Sequence, residues 1–222
     1  MLLALDTSTA QTGLALYDGV QLIGEFSWNS NRRQTIELAP AIMDLIKRVN
    51  KNLEDVRAIG IAIGPGSFTS LRVGLALAKG LSLARHIPLI GIPSCDILAA
   101  TIPVQSIPLA TILQAGRGRL AIGWYHASAG GWQSDGAAVV LTIAELAAKI
   151  KSPTLICGEL TAEERQRLER KYKNVIISSP INSTRRPGVL AELAWQRFQA
   201  GDFDPVASLA PVYLHLAGTP PI

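Results

Sequence analysis

The chain has 222 residues, of which 48% are hydrophobic and 17% charged, and its formal net charge is +4. These values indicate a folded protein with a sizeable core. They exclude a disordered chain and the strong basic excess of a typical nucleic-acid-binding domain. Cys95 and Cys157 are too few and too far apart for a disulfide scaffold or a metal-ligand motif. No basic segment precedes the first apolar run and no apolar stretch is long enough to cross a bilayer, so we expect a soluble, cytoplasmic protein with no membrane partner.

The first half of the chain predicts three strands, then a helix, a strand, a second helix and a fifth strand. Asp18-Gly19 is a hairpin signal, because both central positions of such a turn favour positive φ. Thr35 is expected to cap a helix that ends near Val49, and Ser67 to cap a helix that ends near Ala84. The predicted strands of this half are Leu2–Leu5, Gly13–Tyr17, Val20–Trp28, Arg57–Ile63 and Pro88–Ile92.

The second half repeats this order. Two capping-box patterns, Thr142-x-x-Glu145 and Thr161-x-x-Glu164, open short helices, and a last helix runs from about Gly188 to Ala200. A hairpin meander followed by helical crossovers, present twice, predicts an α/β protein. We expect two duplicated lobes, at residues 1–105 and 106–222, of the actin/sugar-kinase/Hsp70-like (RNase H-like) fold, each a mixed sheet flanked by helices. The predicted strands of this half are Leu109–Leu113, Leu120–His126, Trp132–Leu141, Thr154–Cys157 and Val175–Ile177.

The helix after Gly64-Pro65-Gly66-Ser67 is apolar nearly all round. Only Arg72 and Lys79 interrupt its apolar surface before Ala84. A helix of this kind is covered on more than one side. Two interpretations remain open from the residues alone: a central core helix, or a helix that packs on its own sheet and also on a partner.

The turn after the first strand is the place where nucleotide-binding proteins of this fold hold phosphate. Asp6 is present there, but Thr7 and Ser8 stand where a phosphate loop needs a small residue. We therefore favour hydrogen bonds from Asp6 and Thr7 to their own turn. Free backbone N–H groups near Ser67, at the start of a helix, could still receive an anion such as a nucleotide phosphate supplied by a partner.

The sequence predicts no catalytic residue and no metal site. Ser67 does not lie in a Gly-x-Ser-x-Gly elbow, since Pro65 takes the first glycine position. His86, His126 and His215 are widely separated and show no paired spacing on a helix. We expect no cofactor of the chain's own.

At this point four segments together resemble one family. They are Leu3-Ala4-Leu5-Asp6-Thr7-Ser8-Thr9, then Gly64-Pro65-Gly66-Ser67-Phe68-Thr69 with Leu71, Arg72 and Gly74, then Gly91-Ile92-Pro93-Ser94, and Pro211-Val212-Tyr213-Leu214. These segments are similar to those of the TsaB (YeaZ-type) family. The resemblance is dense over roughly the first hundred residues and thin beyond them.

The resemblance implies a non-catalytic subunit of the bacterial machinery that makes threonylcarbamoyladenosine next to the tRNA anticodon. In that family the partner TsaD carries the metal and transfers the threonylcarbamoyl group, and the ATPase TsaE joins the pair. Docking uses the first two helices of each subunit, and TsaB self-associates through the same surface when TsaD is missing. ATP or ADP, and tRNA, are then expected only through the complex. The residues expected to contact TsaD are Thr35, Leu38, Ala41, Ile42 and Leu45 on the first helix, and Phe68, Leu71, Arg72, Leu75 and Lys79 on the second.

Three departures from the family pattern put in doubt a ligand role for Gln34 and for the Gln114 loop. Gln34 stands where the family usually has His, and Ser70 where it usually has Gly. An Asp-Ala-Arg-x-Gly pattern appears here as Gln114-Ala115-Gly116-Arg117-Gly118. Two rival functions stay open: a stand-alone ATP-dependent phosphotransferase or ATPase of the same fold, and a metallopeptidase. The missing glycine after Asp6 and the scattered histidines argue against them.

Overall fold

A computed structural model describes residues 1–31, 33–116 and 118–214, with the side chain of Lys171 left aside. The first unit comprises Met1–Ser94 and Arg186–Val212. Its five-stranded sheet has the order β3-β2-β1-β4-β5, in which β1, β2 and β3 are antiparallel neighbours while β4 and β5 run parallel to β1. Its elements are β1 (Leu2–Asp6), β2 (Gln11–Tyr17), β3 (Leu22–Asn29), α1 (Gln34–Arg48), β4 (Ala58–Gly64), α2 (Phe68–Arg85) and β5 (Leu89–Pro93).

The second unit comprises Cys95–Arg185 together with Tyr213 and Leu214 among the described residues. Its sheet has the order β11-β10-β6-β7-β8, and β9 also pairs with β7. With β6 in the place of β1, strands β7 and β8 correspond to β2 and β3, and strands β10 and β11 correspond to β4 and β5. The repeat that the element order predicted is therefore confirmed. The elements are α3 (Ser94–Thr101), β6 (Leu109–Gly116), β7 (Arg119–Ser128), β8 (Gly131–Ser134), β9 (Val139–Leu141), α4 (Ile143–Lys149), β10 (Thr154–Gly158), α5 (Ala162–Lys171) and β11 (Val175–Ile177).

The last helix, α6 (Pro187–Gln199), belongs to the first unit. The predicted division between residues 105 and 106 had placed it in the second lobe. Helix α6 packs on β1, β2 and β4. Gly60 on β4 permits this close approach, because a Cβ there would lie 2.7 Å from the Cβ of Ala194. A contact between residues so far apart in the chain leaves no local mark in the sequence.

Two local predictions were wrong, and one helix was missed. Helix α1 begins at Gln34, so Thr35 lies inside its first turn and the residue before the helix makes no side-chain cap. Helix α3 was not predicted. The strand expected over Trp132–Leu141 is two short strands, β8 and β9, on either side of a turn. Both capping boxes are confirmed: Thr142 accepts from the backbone N–H of Glu145, and Thr161 from that of Glu164.

Some predicted features lie outside the described residues. They are His215 and the central Arg117 of the β6–β7 turn. Among the helices of the described residues, none combines the length and the apolar character that crossing a bilayer requires.

Candidate docking surface

The turn between β1 and β2, residues 6–10, holds the starts of both long helices. The Thr7 hydroxyl donates to the carbonyl of Ser70 in the first turn of α2 at 2.8 Å. The backbone N–H of Ser67, just before α2, donates to the carbonyl of Ser8 at 2.6 Å. The Gln34 side chain, at the first position of α1, donates to the carbonyl of Thr9 at 3.3 Å. One buried turn therefore fixes where α1 and α2 begin.

Glycines make this arrangement possible on the side of α2. A Cβ at Gly66 would overlap the carbonyl oxygen of Ser8, and a Cβ at Gly74 would overlap the hydroxyl of Thr7. Both contacts are with atoms of the β1–β2 turn. The glycines of the central motif thus let the backbone of the turn and the helix approach closely, which is one of the main uses of glycine.

The residues considered as contacts for an anion already make hydrogen bonds within the first unit. Asp6, Thr7 and Ser8 are buried. The backbone N–H of Ser8 donates to Asp6 Oδ1 at 2.8 Å, and the hydroxyls of Ser8 and Ser94 are hydrogen-bonded at 2.6 Å. Ser67 takes the N-cap position as predicted, but its hydroxyl accepts from the hydroxyl of Ser70 at 3.1 Å and not from a backbone N–H. The preferred interpretation holds for Asp6, which accepts a hydrogen bond within its own turn, but not for Thr7, whose hydroxyl donates to the carbonyl of Ser70 in α2.

Half of the residues predicted to contact a partner face the protein's own core. They form one cluster with the apolar side chains of β1, β2 and β4, except Leu71, which is buried beside it. Leu75 is only 5% exposed. Side chains in that position cannot contact a partner, so these five residues were assigned to a face that packs on the protein's own core. The buried residues are Leu38, Ile42, Leu45, Leu71 and Leu75.

Other positions of α1 and α2 carry exposed apolar side chains. Ile36 is 62% exposed and Met43 55% on α1, while Phe68 is 51% exposed and Leu83 62% on α2. The two helices are neighbours. We call these four residues the exposed apolar face. Four large apolar side chains exposed on two neighbouring helices make this part of the protein a candidate interaction site, because apolar patches on folded proteins commonly mark such sites.

The other predicted contact residues divide between this face and structural roles. Thr35 and Arg72 are exposed, and the Arg72 guanidinium lies over the Phe68 ring, 3.7 Å from its centre. Ala41 is partly buried against the core. The Lys79 ammonium donates to the backbone carbonyl of Ala207 at 3.3 Å, which ties α2 to the C-terminal segment of the same unit.

Ile36, Met43 and Leu83 were missed. The signal that could have found them is helical phase. Leu38, Ile42, Leu45 and Ile46 form an i, i+4 stripe that already accounts for the core side of α1. The apolar residues left over on the other side, Ile36 and Met43, are then the ones available to a partner.

In the second unit the divergent β6–β7 segment has a structural role. The Gln114 amide donates to the backbone carbonyl of Glu159 at 3.0 Å and to Glu164 Oε2 at 2.9 Å. Arg185, whose side chain is buried, donates to Glu159 Oε1 at 2.6 Å. These contacts join the carboxyl ends of β6 and β10 to α5 and to the segment that precedes α6.

Several titratable groups in the core of the second unit have raised pKa values. Burial raises the pKa of the Cys95 thiol to about 11 and that of Cys157 to about 12, so both thiols stay protonated at neutral pH. Burial also raises the pKa of Asp96, whose Oδ1 accepts a hydrogen bond from the Tyr125 hydroxyl at 2.6 Å. Within residues 1–31, 33–116 and 118–214, no three His, Cys, Asp or Glu side chains come together in a way that could hold a metal ion.

Comparison with known proteins finds similarity to TsaB and TsaD proteins. Residues 28–179 match the family model described as TsaD, tRNA N6-adenosine threonylcarbamoyltransferase. The chain is 29% identical over 220 residues to the tRNA threonylcarbamoyladenosine biosynthesis protein TsaB of Bacillus subtilis, across 97% of this chain and 94% of that protein. It is 36% identical over 117 residues to a tRNA N6-adenosine threonylcarbamoyltransferase of Solidesulfovibrio magneticus, across 45% of this chain and 32% of that protein.

Among solved structures, YeaZ from Pseudomonas aeruginosa has the same fold, with a TM-score of 0.80 at 24% identity over 96% of this chain and 99% of that one. The sequence motifs, the duplicated mixed sheets and these relatives agree. The chain belongs to the family that the TsaD model describes and, within it, to the TsaB (YeaZ-type) group.

Proposed function

We propose that this chain works in tRNA threonylcarbamoyladenosine biosynthesis as a non-catalytic subunit that docks a TsaD-type transferase. The pathway is the one named for its TsaB relatives, including that of Bacillus subtilis. The observation that carries the docking role is the exposed apolar face, formed by Ile36, Met43, Phe68 and Leu83 on neighbouring helices.

A homologous partner fits this face better than an unrelated one. The chain matches the TsaD family model, so a TsaD-type protein is expected to present equivalent helices. Two related subunits can then pair through the same patch, as the two halves of a twofold interface do. The same argument permits self-association of this chain when no TsaD-type protein is present. A stable interface of this kind buries on the order of 1,200–2,000 Å².

The β1–β2 turn supports a non-catalytic role. A phosphate loop needs free backbone N–H groups, whereas the N–H groups of Ser8 and Ser67 are already donated within the unit. We therefore assign no nucleotide to this turn in the isolated chain. Any ATP or ADP would be held by the complex, which a TsaE-type ATPase would join, and the chain would meet tRNA there. This geometry also disfavours the stand-alone phosphotransferase.

Sedimentation velocity tests the proposal. The purified chain is run alone and mixed with the TsaD-type protein of the same organism. We expect a faster heterocomplex that replaces any homodimer. A mixture that sediments as two separate proteins, with or without ATP, would contradict docking and would make nucleotide binding by the isolated chain the next question.

A further inference from the structure

The fold gathers positive charge at one edge of the second unit, although the charge is scattered along the sequence. Helices α4 and α5 both end at the edge where the parallel strands β10 and β11 begin. We define the basic corner as the exposed cations at this edge: Lys149, Lys151, Arg170 and Lys173.

Packing explains why these side chains point outward together. Ile150 and Tyr172 both pack into the core cluster of this unit. Lys149 and Lys151 flank Ile150 in the chain, and Lys173 follows Tyr172. The Asn174 side chain donates to the carbonyl of Lys151 at 2.8 Å, which holds the two loops side by side.

Acidic residues are largely segregated to the other end of the same helices. Glu145, Glu163 and Glu164 lie in the first turns of α4 and α5. Glu169 lies nearer the corner, but it pairs with Arg165 at 4.0 Å. Among the described residues, the four cations of the basic corner take part in no ion pair within 4.0 Å. Their charge is therefore available to an external anion.

We propose that the basic corner contacts the phosphate backbone of tRNA when the chain is part of the complex. This inference rests on the proposed function, which brings the chain to a tRNA substrate. Cations near helix C-termini also stabilise the helix dipole. However, Lys151 and Lys173 lie outside the helices, in loops, where that explanation does not apply. Clustered lysine and arginine with few neighbouring carboxylates is the pattern that recognises phosphate, with affinity that falls as salt rises.

A matched pair of double variants tests the proposal. Lys151→Glu/Lys173→Glu reverses two charges of the corner, and Lys51→Glu/Arg57→Glu reverses two exposed charges in the segment before β4, the equivalent strand of the first unit. Both change the net charge equally. The probe is a fluorescently labelled tRNA transcript of the same organism, titrated by anisotropy with the preformed complex of this chain and the TsaD-type protein at several salt concentrations.

We expect the corner variant to bind the transcript about 10-fold more weakly near 0.1 M salt and to lower the salt slope by about 2, since two phosphate contacts are lost. The control variant should bind as the wild type does. Equal tRNA affinity in both variants, or equal loss in both, would overturn the proposal.

Formation of the complex is measured first by sedimentation. No wild-type complex would reject the proposed function, and this inference with it. A normal complex with unchanged tRNA binding rejects only this inference. Loss of the complex in the corner variant alone would overturn the RNA assignment and identify a protein contact at the corner.

Discussion

The two units share one topology and differ in what their helices present to solvent. Helices α2 and α5 are equivalent crossovers, each joining two parallel strands. Helix α2 has three charged residues, Arg72, Lys79 and Arg85. Helix α5 is charged over most of its length, with Glu163, Glu164, Arg165, Arg167, Glu169, Arg170 and Lys171. The fold therefore supplies a frame, and the residues on the outer face decide whether that frame is covered by a partner or by solvent.

Helices α1 and α2 of the first unit are also longer than α4 and α5 of the second. Helices α1 and α2 span 15 and 18 residues, whereas α4 and α5 span 7 and 10. The two longer helices carry the exposed residues Ile36, Met43, Phe68 and Leu83, whereas among the described residues no large apolar side chain of α4 or α5 is exposed.

The largest expected effect is a difference in stability between a change at a buried position of α2 and a change at an exposed one. Leu75→Asp places a carboxylate in the core, which should cost more than about 4 kcal/mol and leave the chain unfolded or nearly so. Leu83→Asp, eight residues further along the same helix and exposed, should change the free energy of unfolding by less than about 0.5 kcal/mol. Urea denaturation followed by tryptophan fluorescence measures both. Equal destabilisation by the two changes would mean that the faces are assigned wrongly.

The next effect concerns docking without loss of stability. Met43→Asp should weaken binding to the TsaD-type protein about 10- to 100-fold, because an apolar contact at the centre of an interface is replaced by a charge. The matched control is Ile181→Asp in the second unit, where Ile181 is 83% exposed. It should bind normally. Isothermal titration calorimetry gives both affinities, and a similar loss in the two variants would remove the distinction between the units.

A smaller effect tests the close approach between the β1–β2 turn and α2. Gly74→Ala should destabilise the chain by about 1–3 kcal/mol, because the new methyl group overlaps Thr7. Gly80→Ala on the same helix meets nothing within 4 Å and should stabilise it by about 0.5–1 kcal/mol. Differential scanning calorimetry should shift the midpoints in opposite directions. Shifts of the same sign would argue against the turn holding α2.

The smallest expected effect is a change in the pH dependence of stability when Asp96 of the second unit is replaced. Burial raises the pKa of Asp96, so the folded state holds this proton more tightly than the unfolded state does. Stability then falls as pH rises from the unfolded pKa toward the raised folded pKa. Asp96→Asn keeps an acceptor for Tyr125 and should remove this part of the pH dependence. Urea midpoints between about pH 3.5 and 7 would show it, and an unchanged slope would contradict the assignment.

The sequence predicted best those features that neighbouring residues determine. Both capping boxes depend on residues three positions apart, and the order of strands and helices along the chain follows from short patterns. The start of α1 was misplaced by two residues, because Gln34 is held by the carbonyl of Thr9, far away in the chain. The division between units was misplaced for the same reason, since α6 packs on a sheet formed by the first residues.

The docking face shows the limit most clearly. Apolar residues cover both sides of α2, and composition alone does not say which side meets the sheet. The family resemblance selected α1 and α2, the same pair of helices on which the proposed contact rests. The choice of Leu71 and Leu75 was wrong for direct contact, because the sheet buries that side. Only the position of β4 in the folded structure shows that Leu75 is buried and Leu83 is exposed.

Hydroxyl-radical footprinting, read by mass spectrometry, tests the central claim most directly because it reports the solvent exposure of individual side chains. The chain is oxidised alone and in the presence of excess TsaD-type protein. We predict that Met43, Phe68 and Leu83 lose reactivity on complex formation while Ile181 keeps it. Protection of Ile181 with undiminished oxidation of Met43 and Phe68 would show that the partner docks on the second unit, and would contradict the account.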